Sequence, residues 1–173
     1  MLDWFCSRFK SAGTESVLDV GCGIGRHSET FSDFDHYLGI DIVRDFLIRA
    51  SFNSKLPYTI CNAAHLETHF VPLSFDAVLW YDSIEHLDKN RALCSLAYSL
   101  KIARKCVGVF TPLGFFEQTD NVWGGDAGDA QVHKSGWQVS DFTKLGFEEV
   151  EVIGTSRRGK GMVKLILAMW RRK

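Results

Sequence analysis

Proline is scarce in this chain, three in 173 residues, and no low-complexity or repeated segment interrupts it, so no linker or repeat array divides it. No C-x-x-C pair occurs. Cys6, Cys22, Cys61, Cys94 and Cys106 are scattered, which argues against a zinc knuckle or a disulfide framework and reads as reduced thiols packed as small hydrophobes. No apolar run approaches the roughly 20 residues that span a bilayer; the longest near the C-terminus is Leu165 to Trp170. A basic start followed by an apolar stretch is also missing, with Asp3 among the first residues, so no secretory signal is read and a cytoplasmic protein is expected. Nor is there an excess of basic charge. The 20 Lys and Arg face 21 acids, for a net charge of -1, which disfavours a protein that lives by phosphate contacts. What the chain does have is 46% hydrophobic and 13% aromatic residues, enough for one ordinary globular domain over 1–173.

Short β-branched or aromatic runs recur at Val17 to Val20, Tyr37 to Ile42, Tyr58 to Cys61, Phe75 to Trp80 and Val107 to Phe110, with helix-length stretches between them. This alternation predicts βαβ units and a parallel sheet. The clearest helix runs from Asn90 to Ala103, where Leu93, Leu96, Ala97, Leu100 and Ala103 share one stripe. His27 to Phe34 and Asp45 to Phe52 carry few apolar residues; they are assigned helical because a parallel crossover demands an element there. Near the C-terminus, Phe147 to Ile153 and Met162 to Trp170 are separated by eight glycine-rich residues, Gly154 to Gly161. No helix fits in that space, so the two runs should pair as an antiparallel hairpin.

Val17-Leu18-Asp19-Val20-Gly21-Cys22-Gly23-Ile24-Gly25-Arg26 is a buried strand entering a turn with glycine at alternate positions. Glycine permits a sharp turn and lets the backbone come close to a ligand, although the same residues also suit a plain strand-to-helix turn. A dinucleotide fingerprint needs Gly or Ala where Arg26 stands, and no Gly-Lys-Ser/Thr makes a P-loop. Asp41 ends the next strand twenty residues after Gly21, where a carboxylate can accept both hydroxyls of a ribose; its alternative role is a helix N-cap. A nucleoside without a pyrophosphate is the better ligand, and Arg26 argues against a nucleotide-dependent oxidoreductase.

Leu18 to Gly25 resembles the first motif of the class I S-adenosylmethionine-dependent methyltransferases, and Gly39-Ile40-Asp41 resembles their second. Cys61-Asn62-Ala63 is similar to the third. Phe75-Asp76-Ala77-Val78 through Ile84-Glu85-His86-Leu87 is similar to the fourth, in the form seen in ubiquinone-type O-methyltransferases. The resemblance covers nearly the whole chain. It implies an α/β, Rossmann-like fold: a seven-stranded, mostly parallel sheet with helices on both faces and a C-terminal antiparallel hairpin, with S-adenosylmethionine as cofactor. It further implies that Asp19 braces the turn by accepting backbone N–H groups and that Gly21, Cys22, Gly23 and Gly25 pass close to the methionine moiety. Asp41, followed by Ile42, would grip the ribose, and Asn62 and Ala63 would border the adenine; Asn62 is alternatively a turn residue. Trp80 and Tyr81 sit where the fourth strand opens toward the ligand, an aromatic face suited to a sulfonium cation, though core packing explains Trp80 equally well. The chain departs from the family in two places. Ala103-Arg104-Lys105-Cys106 replaces the usual Pro-Gly-Gly turn, and only about sixteen residues precede the first strand, which implies a reduced N-terminal lid.

Methyl transfer from a sulfonium is an in-line displacement, accelerated chiefly by holding acceptor and methyl in attack geometry. Where the acceptor must lose a proton, histidine is the usual base, and His86 and His133 are the candidates. His133 follows a long loop-like segment from Pro112, whose Phe115, Phe116, Trp123 and Trp137 form an aromatic surface read as an acceptor-side lid. A hydrogen-bonded loop residue is the alternative for His133. Asp82, Glu85 and His86, at i, i+3 and i+4, would share one helical face. In the ubiquinone-type relatives an acid, acid, histidine set here holds a metal; a helix start capped by Asp82 or Ser83 is the plainer reading. Arg157, Arg158, Lys160 and Lys164, with Arg171 to Lys173, make the hairpin basic, either as a solvated turn or as an anionic-substrate patch. No Asn/Asp-Pro-Pro-aromatic sequence follows the fourth strand, so methylation of nucleic-acid base amines loses its motif. The reading is a methyltransferase acting on a small-molecule acceptor, an oxygen before a nitrogen. An RNA or protein acceptor, or a noncatalytic cofactor-binding module, are its rivals.

Overall fold

The computed structural model describes residues 1–119, 121–157 and 161–173, without the side chains of 155–157 and 161. One sheet takes strands from both ends of the chain. β1 (Ser16–Val20) is flanked by β2 (His36–Asp41) and then β3 (Tyr58–Ile60) on one side. On the other side stand β4 (Phe75–Tyr81), β5 (Ala103–Pro112), β7 (Gly161–Arg171) and β6 (Glu149–Arg157), giving the order β3-β2-β1-β4-β5-β7-β6. The first five strands are parallel, and β7 runs antiparallel to both β5 and β6. The helices are α1 (Leu2–Ser11), α2 (Arg44–Asn53), α3 (Lys89–Ile102) and the short α4 (Val139–Thr143). Among the described residues no helix is long and apolar enough to cross a membrane.

β1 is buried at every position, as a parallel strand covered on both faces must be. Its alternate side chains feed two separate cores. Val17 joins Phe5 and Phe9 of α1, whereas Leu18 and Val20 join Leu96 and Ile102 of α3. The same alternation divides β4: Ala77 and Leu79 face α1, and Val78 and Trp80 face α3.

Several elements differ from the expectations. α1 was not expected; its Phe5 and Phe9, one turn apart, are both fully buried. The stretch His27 to Phe34 forms only a 3-10 turn, Ser28–Phe31, because its Ser, Thr and Asp residues compete for backbone hydrogen bonds and do not favour a helix. The buried stripe of α3 is Ala92, Ser95, Leu96, Ser99 and Ile102, rotated from the leucine-based one. The buried indole of Trp80 needs an acceptor, and its N–H donates to Ser99 Oγ at 3.0 Å. Ala103 to Cys106, where a turn stands in the family, is the start of β5; it carries a register irregularity against β4, and Arg104 Nε donates to Asp76 Oδ1 at 2.6 Å. The hairpin ladder extends to Arg157 opposite Gly161, so most of the presumed turn is strand. Arg158 and Lys160 of the basic patch lie outside the described residues. The C-terminal cations are taken up locally: Arg171 pairs with Glu149 at 2.6 Å, Lys173 with Glu148 at 2.9 Å, and Arg172 donates to the carbonyls of Leu100 and Ala103.

Candidate functional site

The glycine turn leaves the C-terminal end of β1, between β2 and β4, where the strand order reverses. Ligands of open α/β sheets bind at such a point. Gly21 adopts φ +77° and Gly23 φ +55°, values that side chains resist. A Cβ on Gly21 would come within 2.5 Å of Ser83 Cβ, while one on Gly23 would meet no atom within 4 Å. The first glycine therefore packs against the loop after β4, and the second faces open space. The N–H groups of Gly21 and Cys22 both donate to the Ile40 carbonyl, at 2.8 and 3.0 Å. Gly23 N–H donates to Asp41 Oδ2 at 3.0 Å, and Val43 N–H donates to Asp41 Oδ1 at 2.9 Å. Burial raises the Asp41 carboxyl, and these backbone donors oppose the rise.

Asp19 does not make the bonds to the turn that the resemblance implied. Its carboxylate is buried and accepts the Tyr37 hydroxyl at 2.7 Å. Burial pushes it up to about 6, the tyrosine hydroxyl works against that, and the charge of Asp41 adds to it. The reason is alternation along β1: Asp19 shares the Val17 side, and the turn is braced by Ile40 and Asp41 instead. Cys22 is half-buried, with its Sγ 3.9 Å from the Gly23 carbonyl, and Gly25 packs against Ala50 of α2; neither lines the cleft described next.

A cleft of about 540 Å³ opens over the turn, with Gly21, Gly23, Asp41, Ile42, Asn62 and Ala63 along one side. Asn62 Oδ1 accepts the Ala64 N–H at 2.9 Å, so this residue both caps the following turn and borders the cleft. Its two readings coexist. Asp82, Ser83 and His86 form the opposite side, and Trp123, Ala127, Ala130 and Gln131 reach over from the segment after β5. That segment is held down at several points. The Arg26 guanidinium lies 5.0 Å above the Trp123 ring, Arg49 Nη1 donates to the Trp123 carbonyl at 2.5 Å, and Ala127 packs with Val43 and Phe46.

The expected aromatic lid surface is dispersed. Trp123 alone of the four lines the cleft. Trp137 is fully buried and stacks on Phe142, Phe116 packs in the α1-side core, and Phe115 is 63% exposed. Tyr81 also lies away from the cleft walls: its ring stacks on Phe110 with centroids 4.5 Å apart and meets Phe5 edge-on. By alternation it belongs with Ala77 and Leu79. Trp80 faces the other side, where the cleft reaches it.

His86 lines the cleft, and His133 lies buried behind it, their ring centroids 4.8 Å apart at 76°. His86 Nδ1 donates to the Val132 carbonyl at 3.2 Å and His133 Nδ1 to the Phe116 carbonyl at 2.6 Å. Because a carbonyl only accepts, each Nδ1 carries the proton in these bonds. Burial, with His133 beside it, lowers His86 to about 4, so its ring is neutral at pH 7. Glu85 is buried. Its carbonyl accepts the N–H groups of Lys134 and Ser135 at 2.8 and 3.0 Å, and its Oε2 accepts Thr111 Oγ1 at 3.0 Å. Burial and the charge of Asp82 push the Glu85 carboxyl well above the usual carboxylate range.

The helical face proposed for Asp82, Glu85 and His86 does not form. Ile84–His86 is a single 3-10 turn, Asp82 precedes it at φ +55°, and Ser83 Oγ donates to the Val20 carbonyl at 2.7 Å rather than capping. Among the described residues, one ligand atom each from Glu85, His86 and His133 come together within 4.8 Å of one another. His133 in place of Asp82 is what the sequence reading missed.

A glycine turn at the switch point, with a carboxylate ending the second strand, is the arrangement of α/β proteins that hold a nucleoside, and Arg26 stands where a dinucleotide fingerprint needs glycine or alanine. The methyltransferase-domain family model matches residues 17–102, and the chain belongs to this family of S-adenosylmethionine-dependent methyltransferases. Among solved structures it is similar to a protein of Bacillus halodurans C-125 described as a methyltransferase, with TM-score 0.73 and 16% identity over 96% of this chain and 97% of that one. An S-adenosylmethionine-dependent methyltransferase of Methanosarcina mazei gives TM-score 0.72 and 13% identity, covering 92% of each chain. The N-terminal domain of EvdMO1 with S-adenosylhomocysteine bound gives 0.69 and 16%, over 99% and 80%. At these identities the likeness is one of fold. No curated protein sequence gives a significant match.

Proposed function

We propose that this protein, a single domain, transfers the methyl group of S-adenosylmethionine to a hydroxyl oxygen of a small molecule. The observation that carries the small-molecule reading is the roof. Trp123 to Gln131 passes over the cleft and is tied to the opposite rim through Arg26 and Arg49, leaving about 540 Å³, the size of a small-ligand site. The C-terminal cations that are described are engaged with acids or carbonyls, which weighs against a nucleic-acid surface.

The residues present fit the cofactor. Asp41 gives one lone pair of each oxygen to the backbone, and the others suit ribose hydroxyls. The open space at Gly23 suits the methionine moiety, and Asn62, whose Oδ1 is engaged, offers its amide N–H beside Ala63 to the adenine. The sulfonium methyl is the electrophile when the cofactor is bound. On this reading Asp19 acts through Tyr37 and not on the ligand. Tyr81, Cys22 and Gly25 support the walls from behind. His86, neutral and facing the cleft, accepts the hydrogen bond of the acceptor hydroxyl, orients it and takes up its proton as the oxygen gains the methyl and the sulfonium leaves as the thioether, with His133 behind it. Five free thiols support a reducing, cytoplasmic setting.

The test is incubation with methyl-labelled S-adenosylmethionine and, separately, a panel of phenols and alcohols, total RNA and protein. Label in an ether product of a small hydroxyl compound is expected. Label entering only RNA or protein would overturn the reading, as would binding without turnover on any acceptor.

A further inference from the structure

We infer that the acceptor carries an anionic group, a carboxylate or a phosphate, and that Arg91 and Lys134 bind it on the His86 side of the cleft. The inference deepens the methyl-transfer reading and rests on it. Both side chains line the cleft and are exposed to solvent. Among the described residues, neither makes an ion pair or a side-chain hydrogen bond. Lys89, close by, is engaged: its Nζ pairs with Asp141 at 2.6 Å, donates to the Gly136 carbonyl at 2.8 Å and lies 3.6 Å over the Trp137 ring. Arg91 has no such offset, and its position is unfavourable. It stands in the first turn of α3, which holds no acid. The N-terminal end of a helix carries partial positive charge, and a cation there is destabilising. Real proteins break such local rules at functional sites, and an anion on Arg91 removes the conflict.

Backbone bonds bring Lys134 to the same side. Its N–H donates to the Glu85 carbonyl at 2.8 Å, and Lys89 fastens the Gly136 carbonyl to the head of α3. The segment carrying Lys134 is thus tied at two points to the turn and helix start that carry His86 and Arg91. The ammonium is close enough to His86 to add to burial and His133 in lowering that ring. The planar guanidinium can take two oxygens of one carboxylate or phosphate, and the ammonium supplies a point charge. An acceptor anchored in this way has its hydroxyl turned toward His86, the positioning that methyl transfer needs. The acids of the cleft do not cancel the pair. Asp41 is bound into the glycine turn, Asp82 adjoins the buried Glu85 carboxyl, and Asp126 and Asp129 flank Ala127, which packs on Val43 and Phe46. Asp88 precedes Arg91 by one turn and makes no capping bond; against Arg91 and Lys134 it leaves one positive charge for a ligand.

The experiment titrates the full chain, in excess S-adenosylhomocysteine, with 4-hydroxyphenylacetate, 4-hydroxyphenyl phosphate and the neutral 4-hydroxyphenylacetamide, followed by calorimetry. At least one anion should bind roughly tenfold or more tightly than the amide, the scale of a charged hydrogen bond, and whichever anion is tighter identifies the group. Lys134→Met and Arg91→Met should each reduce that preference by roughly tenfold, and Lys134→Arg should restore most of it. Thermal melting confirms folding, and Lys134→Gln or Arg91→Gln replaces a variant that does not fold. Anions that bind no better than the amide would overturn the proposal, as would a wild-type preference in the folded variants. The same probes incubated with methyl-labelled S-adenosylmethionine report transfer separately. Anion preference without an ether product from any of them would contradict the hydroxyl-transfer reading and not the anion site, whereas ethers formed equally well from acid and amide would overturn the anion site alone.

Discussion

Where the glycine turn meets Asp41, the wall of the cleft is built from backbone groups and one carboxylate 18 residues further on. On the facing wall, His86 is fixed by a carbonyl 46 residues away, and the Glu85 carbonyl accepts the N–H groups of Lys134 and Ser135. The first wall is rigid because strand ends supply its hydrogen bonds. The second depends on a long irregular segment lying in one place. Cofactor binding should therefore be governed by local backbone geometry, and acceptor selection by how the segment from Leu113 to Gln138 is held.

Four substitutions sharpen that contrast. Gly21→Ala should have the largest effect: a left-handed residue costs about 1 to 2 kcal/mol, and crowding against Ser83 adds about 1 to 3 kcal/mol. Urea unfolding would measure the loss, and an unchanged midpoint would show that the turn is not as tight as described. Asp41→Ala should weaken S-adenosylhomocysteine binding by about 1 to 3 kcal/mol through lost charged hydrogen bonds, read by calorimetry. Trp123→Ala, on the roof, should weaken it by only about 0.5 to 1 kcal/mol, the scale of the lost stacking on Arg26, and leave the melting temperature in place. Tyr81→Phe should change cofactor affinity least, by less than about 0.5 kcal/mol, because its ring packs on Phe110 and Phe5 away from the cleft; surface-like effects of that size are typical of positions outside a site. A larger loss for Tyr81→Phe than for Trp123→Ala would reverse the assignment of walls.

The same contrast explains what could be read from the chain. The places of Gly21, Gly23, Asp41, Asn62 and Ala63 along the cleft were legible because they follow from spacing within short βα units, and spacing is visible in sequence. Tyr81 could have been placed correctly by alternation, since Ala77 and Leu79 share its side of β4 and Trp80 does not. Phe5 and Phe9 likewise carried a one-turn repeat that marks the buried face of α1. The stripe of α3 was misread because a buried serine, Ser99, is explained only by the Trp80 indole it accepts from. No local signal joins His133 to Glu85. Their meeting follows from tertiary hydrogen bonds to Lys134 and Ser135, and the lid aromatics dispersed for the same reason: a segment whose described residues form only a short 3-10 turn, Gly128–Gln131, and isolated bridges has no period from which to read which face is buried.

The most direct test of the central claim is calorimetric titration of the purified protein with S-adenosylhomocysteine, with NAD as control. The account predicts one-to-one binding in the micromolar range and none of NAD. Well-folded protein that takes no S-adenosylhomocysteine, or takes NAD equally well, would contradict it.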